Sequence, residues 1–190
     1  MPYTADHKAK TRARIVAVAS RLFRRDGYHQ TGVDALMGAA GLTRGGFYAH
    51  FKDKSALLIE AIEHAFDESG ENLFGHGLED LRGAAWLREA SRRYLALGHR
   101  RQPEAGCAVP ALGSEVARGS HAVRKAFDAR QQDMIERAAE RIGGDRRMAT
   151  ALLASWVGGL VMARIAPRRA HAQSILEAVR GYWEDVAERL

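Results

Sequence analysis

A cluster of hydrogen-bond donors occupies the N-terminal third of the chain: Thr43, Arg44, Tyr48, His50, Lys52 and Lys54, with Gly45 and Gly46 among them. Hydroxyl, guanidinium, imidazole and ammonium groups at this spacing suit phosphate and base-edge contacts. Arg44 has the fork of donors that fits guanine, and Thr43 and Gly45 should approach base edges beside it. Tyr48, His50 and Lys54 suit phosphate oxygens. Other chemistries are poorly provided for. No two of the eight histidines stand at H-x-x-x-H, and no cysteine accompanies one, so no metal site is expected. Ser114–Glu115 with His121 is no catalytic set, because nothing places a base against the serine with a third group to orient it. No enzyme and no cofactor is expected. Cys107 is the remaining reactive side chain. Near the start of a short helix it would feel partial positive charge that favours a thiolate, making it a candidate electrophile or oxidant sensor. The alternative is a small buried apolar residue.

The donors need a rigid support, and Thr31–Lys54 supplies one. Val33, Leu36, Met37 and Ala40 recur at helical spacing, so Val33–Ala40 reads as a helix with one apolar face. Thr31 is its N-cap candidate, with Asp34 at capping-box distance. Gly41 stops it, Leu42 plugs the turn, and Thr43 can cap a second helix over Arg44–Phe51. That second helix is poor by propensity, since each of Gly45 and Gly46 costs about 1 kcal/mol relative to Ala. A helix pressed against a DNA backbone gains close approach from them. Phe47 and Phe51, four apart, anchor one face inward. Two short helices around a Gly turn form the helix-turn-helix pattern, whose second helix enters the DNA major groove.

The run Phe23 … Gly27–Tyr28 … Thr31 … Ala39–Ala40–Gly41–Leu42–Thr43–Arg44–Gly45–Gly46–Phe47–Tyr48–Ala49–His50–Phe51 … Lys54 … Leu57 resembles the DNA-binding domain of the TetR family of transcriptional regulators, over about residues 10–58. Gly32, Met37–Gly38 and Gly46 depart from the commonest residues of that family. The resemblance implies a helical head that reads an operator, a homodimer, and a helix that transmits ligand binding to the head.

Charge is distributed accordingly. Residues 1–54 hold ten basic and four acidic residues; the remainder holds 19 of each, so the whole formal charge of +6 sits on the helix-turn-helix segment. Phosphate neutralisation uses charge in this way. No stretch of about 18 apolar residues is read as a membrane span. The charged start has no secretory pattern, and one cysteine permits no intrachain disulfide, so a cytoplasmic protein without a membrane partner is expected.

Further along, residues 1–6 are expected to be disordered. Lys8–Arg25 reads as a helix with Ile15, Val16, Ala19, Leu22 and Phe23 inside. Lys8, Arg12, Arg14 and Arg21 lie off that face, and the N-terminal basic residues could reach phosphates. Asp53 should cap a long helix to about Asn72. Helices are also expected over Leu78 to about Arg101, Ser120 to about Ile142, Met148–Ile165 and Gln173–Leu190, with Asp145 capping the third of these. The broad apolar faces of 148–165 and 173–190 suggest a four-helix homodimer interface, with Val179 and Trp183 in it. Phe66, Trp86, Tyr94, Cys107, Phe127, Met134 and Trp156 are candidates to line a ligand cavity.

The expectation is an all-α protein of about nine helices: a three-helix head, residues 1–53, and a ligand-binding and dimerisation domain, residues 54–190. The DNA-contact candidates are Thr31, Thr43, Arg44, Gly45, Gly46, Phe47, Tyr48, His50, Lys52 and Lys54. The function read from them is a ligand-responsive regulator, a repressor that binds a near-palindromic operator on double-stranded DNA as a homodimer and is released by an apolar or aromatic small-molecule inducer. Sensing through Cys107 is one alternative; a helical small-molecule carrier or enzyme is another.

Overall fold

A computed structural model describes residues 5–190. Among them there are helices, turns and loops but no strand. The elements are α1 (Ala5–Asp26), α2 (Val33–Ala39), a 3₁₀ helix (Arg44–Ala49), α3 (Lys54–Phe74), α4 (Gly83–Tyr94), α5 (Leu97–Arg101), a single 3₁₀ turn (Pro103–Ala105), α6 (Ala108–Ala117), α7 (His121–Arg141), α8 (Arg146–Ile165) and α9 (Arg169–Ala187). The fold class read from the sequence is the one observed.

The local signals that depend on one turn of chain work as expected. Asp53 and Asp145 accept from the N–H of Ala56 and Met148, and so cap α3 and α8; Ser120, expected to begin a helix, instead caps α7 by accepting from the N–H of Val123. Gly41, at φ +68, ends α2 in a Schellman arrangement: its N–H reaches Gly38 O at 2.9 Å, and Leu42 N reaches Met37 O at 2.8 Å.

Other boundaries move. Of the segment expected to be disordered, residues 1–4 lie outside the described residues, while Ala5 and Asp6 are already helical, with Asp6 paired to Lys10 at 2.8 Å. Thr31 does not cap α2. The N-cap is Gly32, and the buried Thr31 hydroxyl donates instead to Gly27 O at 2.7 Å. The second helix of the motif is 3₁₀ and ends at Ala49, consistent with the low helix propensity of its glycine pair. The expected helix to Arg101 begins only at Gly83 and breaks at Leu95–Ala96. α9 begins at Arg169, not Gln173.

Two apolar cores share the molecule. One joins α1, α2, the 3₁₀ helix and the first half of α3 (Ile15, Phe23, Leu36, Phe47, Leu57, Ile62) to Leu112 of α6 and Phe127 of α7. The other is built around Trp156, Tyr94, Leu87, Leu152 and Leu160. Because Leu57–Phe66 belong to the first core, packing does not divide at residue 53. In the second core α8 crosses α9 closely at Gly159, where an added Cβ would lie 2.9 Å from Val179. Trp183 is buried and donates to Ser155 Oγ at 2.7 Å. Trp183 therefore holds α9 to α8 within one chain and is not free for a partner, while Val179 is half-buried in the same crossing. One reading of the sequence needs amending: α8 is long and apolar enough to cross a membrane by length and composition, because Ala and Gly fill the gaps between its larger apolar residues. Leu152, Trp156 and Leu160 on it are core.

Candidate nucleic-acid interface and effector cavity

The 3₁₀ helix is pinned from below. Phe47 and Phe51 are 1% and 2% exposed, with ring centroids 5.7 Å apart, and sit against the α1–α2–α3 core. That seating turns Thr43, Arg44, Gly45, Tyr48 and Lys52 outward, Tyr48 to 65% exposure. Arg44 meets Asp34 of α2 at 2.9 Å, both largely exposed, so the pair contributes little to stability and its guanidinium can be released to another acceptor.

The remaining candidates are differently placed. Thr31 and Phe47 are buried, so neither side chain faces outward; their roles are internal. Gly46 is half-buried against the Met37 methyl. Lys54 lies 4.2 Å over the Tyr28 ring, and partial burial lowers its pKa. His50 is half-buried, its Nδ1 without a hydrogen-bond partner; burial, then Lys8 and Arg12, lower its pKa and favour the neutral ring. Arg12, read as a phosphate contact, points inward to Glu60 and the His50 carbonyl.

Three ties between α1 or its following turn and the rest were not legible in the sequence. Arg12 pairs with Glu60 of α3. Arg24, buried, pairs with Glu68 of α3 and donates to Gly106 O at 2.7 Å. Glu115 of α6 accepts from the N–H groups of Tyr28 and His29 at 2.8 and 3.1 Å. The partners lie 44 to 87 residues apart, beyond any periodicity.

A cavity of about 420 Å³ opens between α3, α4 and α7. Phe66, Trp86, Cys107 and Met134 of the seven candidates line it, together with Phe74, which was not singled out, and Leu153. Tyr94 and Trp156 do not. They stack at 5.1 Å behind it and fill the core. Phe127 lies in the other core, edge-on to Phe66 at 5.2 Å. Arg130, Arg137 and Arg141 of α7 stand at its rim with Asp67, Glu71 and Asp133.

Cys107 is 2% exposed, and burial raises the thiol's pKa, opposite to the thiolate expected at a helix start. The Cys107 N–H donates to His99 Nε2 at 3.0 Å, while the other ring nitrogen of His99 meets Tyr94 O at 2.7 Å. Burial lowers His99 to about 4. The neutral ring with a proton on Nδ1 satisfies both contacts. Among the described residues no group of three or more His, Cys, Asp or Glu could hold a metal ion.

Residues 15–61 match the family described as bacterial regulatory proteins, tetR family. The chain is 43% identical over 68 residues to the HTH-type transcriptional regulator AcrR of Shigella flexneri, which is 36% of this chain and 32% of that protein. It is 39% identical over 51 residues to the HTH-type regulator YerO of Bacillus subtilis, 27% of this chain and 18% of that one. The matched segment thus spans about a third or less of these relatives. Whole-chain similarity is structural. Reduced Escherichia coli NemR superposes with TM-score 0.74 at 21% identity, covering 93% of this chain and 96% of that one. A TetR-family regulator from Cytophaga hutchinsonii gives 0.78 at 19%, covering 94% and 95%. AibR, solved with isovaleryl coenzyme A and operator DNA, gives 0.67 at 19%, covering 90% and 97%.

Proposed function

With residues 15–61 a TetR-family domain, we propose that this protein is a ligand-responsive transcriptional repressor that reads a near-palindromic operator as a homodimer. The observation that carries the reading is the surface of the 3₁₀ helix. Phe47 and Phe51 fix it from inside, while Thr43, Arg44, Tyr48 and Lys52 stand outward on the most basic part of the chain. Arg44 contacts a guanine, and Tyr48, Lys52 and Lys54 position the helix through phosphates. Met162, Ile165 and Tyr182, apolar yet 58%, 75% and 62% exposed on α8 and α9, form the dimer contact. The protein works in the cytoplasm, where its DNA lies.

The inducer enters the cavity between α3, α4 and α7, and its apolar part rests on Phe66, Phe74, Trp86 and Met134. The buried Cys107 with its raised pKa favours a reversible ligand over thiol chemistry. Selection from a random DNA pool tests the reading: a palindromic consensus is expected. A pool that returns no consensus at physiological salt refutes it and leaves a carrier or an enzyme as the competing class.

A further inference from the structure

We propose that Arg12 is a positioning residue for DNA reading: it fixes the C-terminal end of the 3₁₀ helix to α3 and touches no phosphate. The inference rests on the DNA-reading role above. One side chain makes three contacts. The guanidinium forks onto Glu60, with Nε 3.1 Å from Oε2 and a second nitrogen on Oε1. Its remaining terminal nitrogen donates to the carbonyl of His50, the residue that ends the 3₁₀ helix. Its plane lies 4.1 Å from the centre of the Phe51 ring, the second of the two rings that seat the helix.

A six-residue 3₁₀ helix with two glycines has little stiffness of its own. At its N-terminal end Thr43 makes no side-chain cap. Arg12 supplies at the other end what local sequence does not: a planar, bidentate anchor on a carboxylate of a long helix, plus a carbonyl held in place. Three of its five N–H donors, one on each guanidinium nitrogen, are directed at Glu60 or His50, which fixes the plane of the group.

Phosphate contact and positioning predict opposite results in three measurements. The probe is the duplex the native protein selects, with a scrambled duplex of equal length as reference. Glu60→Gln removes a negative charge from a DNA-binding head and keeps the side chain's size. If charge alone mattered, affinity would rise; with Arg12 as anchor, it falls about tenfold on the selected duplex and stays level on the scrambled one. Arg12→Lys keeps the charge and loses the fork. A phosphate contact tolerates that change, whereas the anchor does not, so the same tenfold loss is expected. Arg12→Gln removes the charge altogether: as an anchor its loss leaves the log–log salt slope that of the native protein, whereas a lost phosphate contact lowers it by about 0.9. Circular dichroism and the thermal midpoint confirm that each variant is folded at the assay temperature. A rise in affinity for Glu60→Gln, native affinity for Arg12→Lys, or a reduced slope overturns the proposal. A native protein that selects no duplex overturns the DNA-reading function itself, and this role with it.

Discussion

At the scale of single residues, the chemistry that matters is the difference between donors already occupied and donors left outward. Arg12, Arg24 and Arg44 look alike in the sequence, all arginines of one basic segment. Arg12 and Arg24 are directed inward to Glu60 and Glu68, while Arg44 is held only by an exposed pair with Asp34. Arg44→Ala should therefore relax base preference at one position per half-site, costing about 1–3 kcal/mol there. Repeating the pool selection with the variant checks this, and an unchanged consensus rules the role out. No sequence pattern separates the three arginines, because what distinguishes them is a carboxylate dozens of residues away. Cys107 shows the same limit. Its place at the start of α6 was legible and burial was one of the two fates read for it, but the sequence could not choose between them; burial outweighs the helix dipole. The thiol should label slowly with an aromatic disulfide reagent at pH 8 in the native state and at once in denaturant. Fast native labelling would restore the sensor reading.

At the scale of elements, what was legible follows the range of the forces involved. Asp53 and Asp145 cap within three residues, and each does so here. Thr31 had the right spacing but is buried, its hydroxyl donates to the Gly27 carbonyl, and the N-cap falls one residue later at Gly32. Helical periodicity marked Tyr94 and Trp156 as aromatic inner positions without telling a cavity wall from a filled core. Gly45 tests the reading element directly. A Cβ there meets nothing within 4 Å, and its backbone is not in the left-handed region. Gly45→Ala should leave the fold intact or stabilise it by up to about 1 kcal/mol, while DNA affinity falls because the methyl stands between helix and bases. Thermal melting and a gel shift on the same preparation separate the two effects; unchanged affinity would show that no close approach is needed. His99 joins the ends of α4 and α6 through Tyr94 O and Cys107 N. Its folded pKa, about 4, lies below the ordinary value of about 6.5. Its neutral form thus stabilises the fold fully above pH 6.5, and that contribution is lost as pH falls from there toward 4, on the order of 3 kcal/mol in all. His99→Gln should flatten the stability profile in that window, measured by denaturant unfolding at each pH.

At the scale of the whole molecule, two asymmetries remain once each helix has its core. One is charge: the entire formal surplus lies in residues 1–54. The other is apolar exposure on the last two helices, away from the reading element in sequence. Their inner faces are spent within the chain, since Trp183 bonds Ser155 and Val179 packs on Gly159. The sequence showed broad apolar stripes there but could not say which side each residue takes. It therefore assigned Val179 and Trp183 to a partner, when Met162, Ile165 and Tyr182 are the side chains left outside. Removing the two kinds of residue should have different consequences. Trp183→Ala deletes a core indole and should cost about 3–5 kcal/mol of stability whatever the oligomeric state. Ile165→Glu and Tyr182→Glu put charge where a second copy would bury it, so each should give a folded monomer with native helix content. Sedimentation at micromolar concentration distinguishes these outcomes: native dimer, glutamate variants monomeric. The monomers should still carry their full basic segment, so scrambled DNA binds as before per head. What they lose is simultaneous occupation of two half-sites, one helical turn of about 34–36 Å or a multiple of it apart. Tight binding to the selected duplex should therefore collapse toward half-site affinity without any change in consensus. A native protein that sediments as a monomer, or glutamate variants that remain dimers, would move the interface elsewhere.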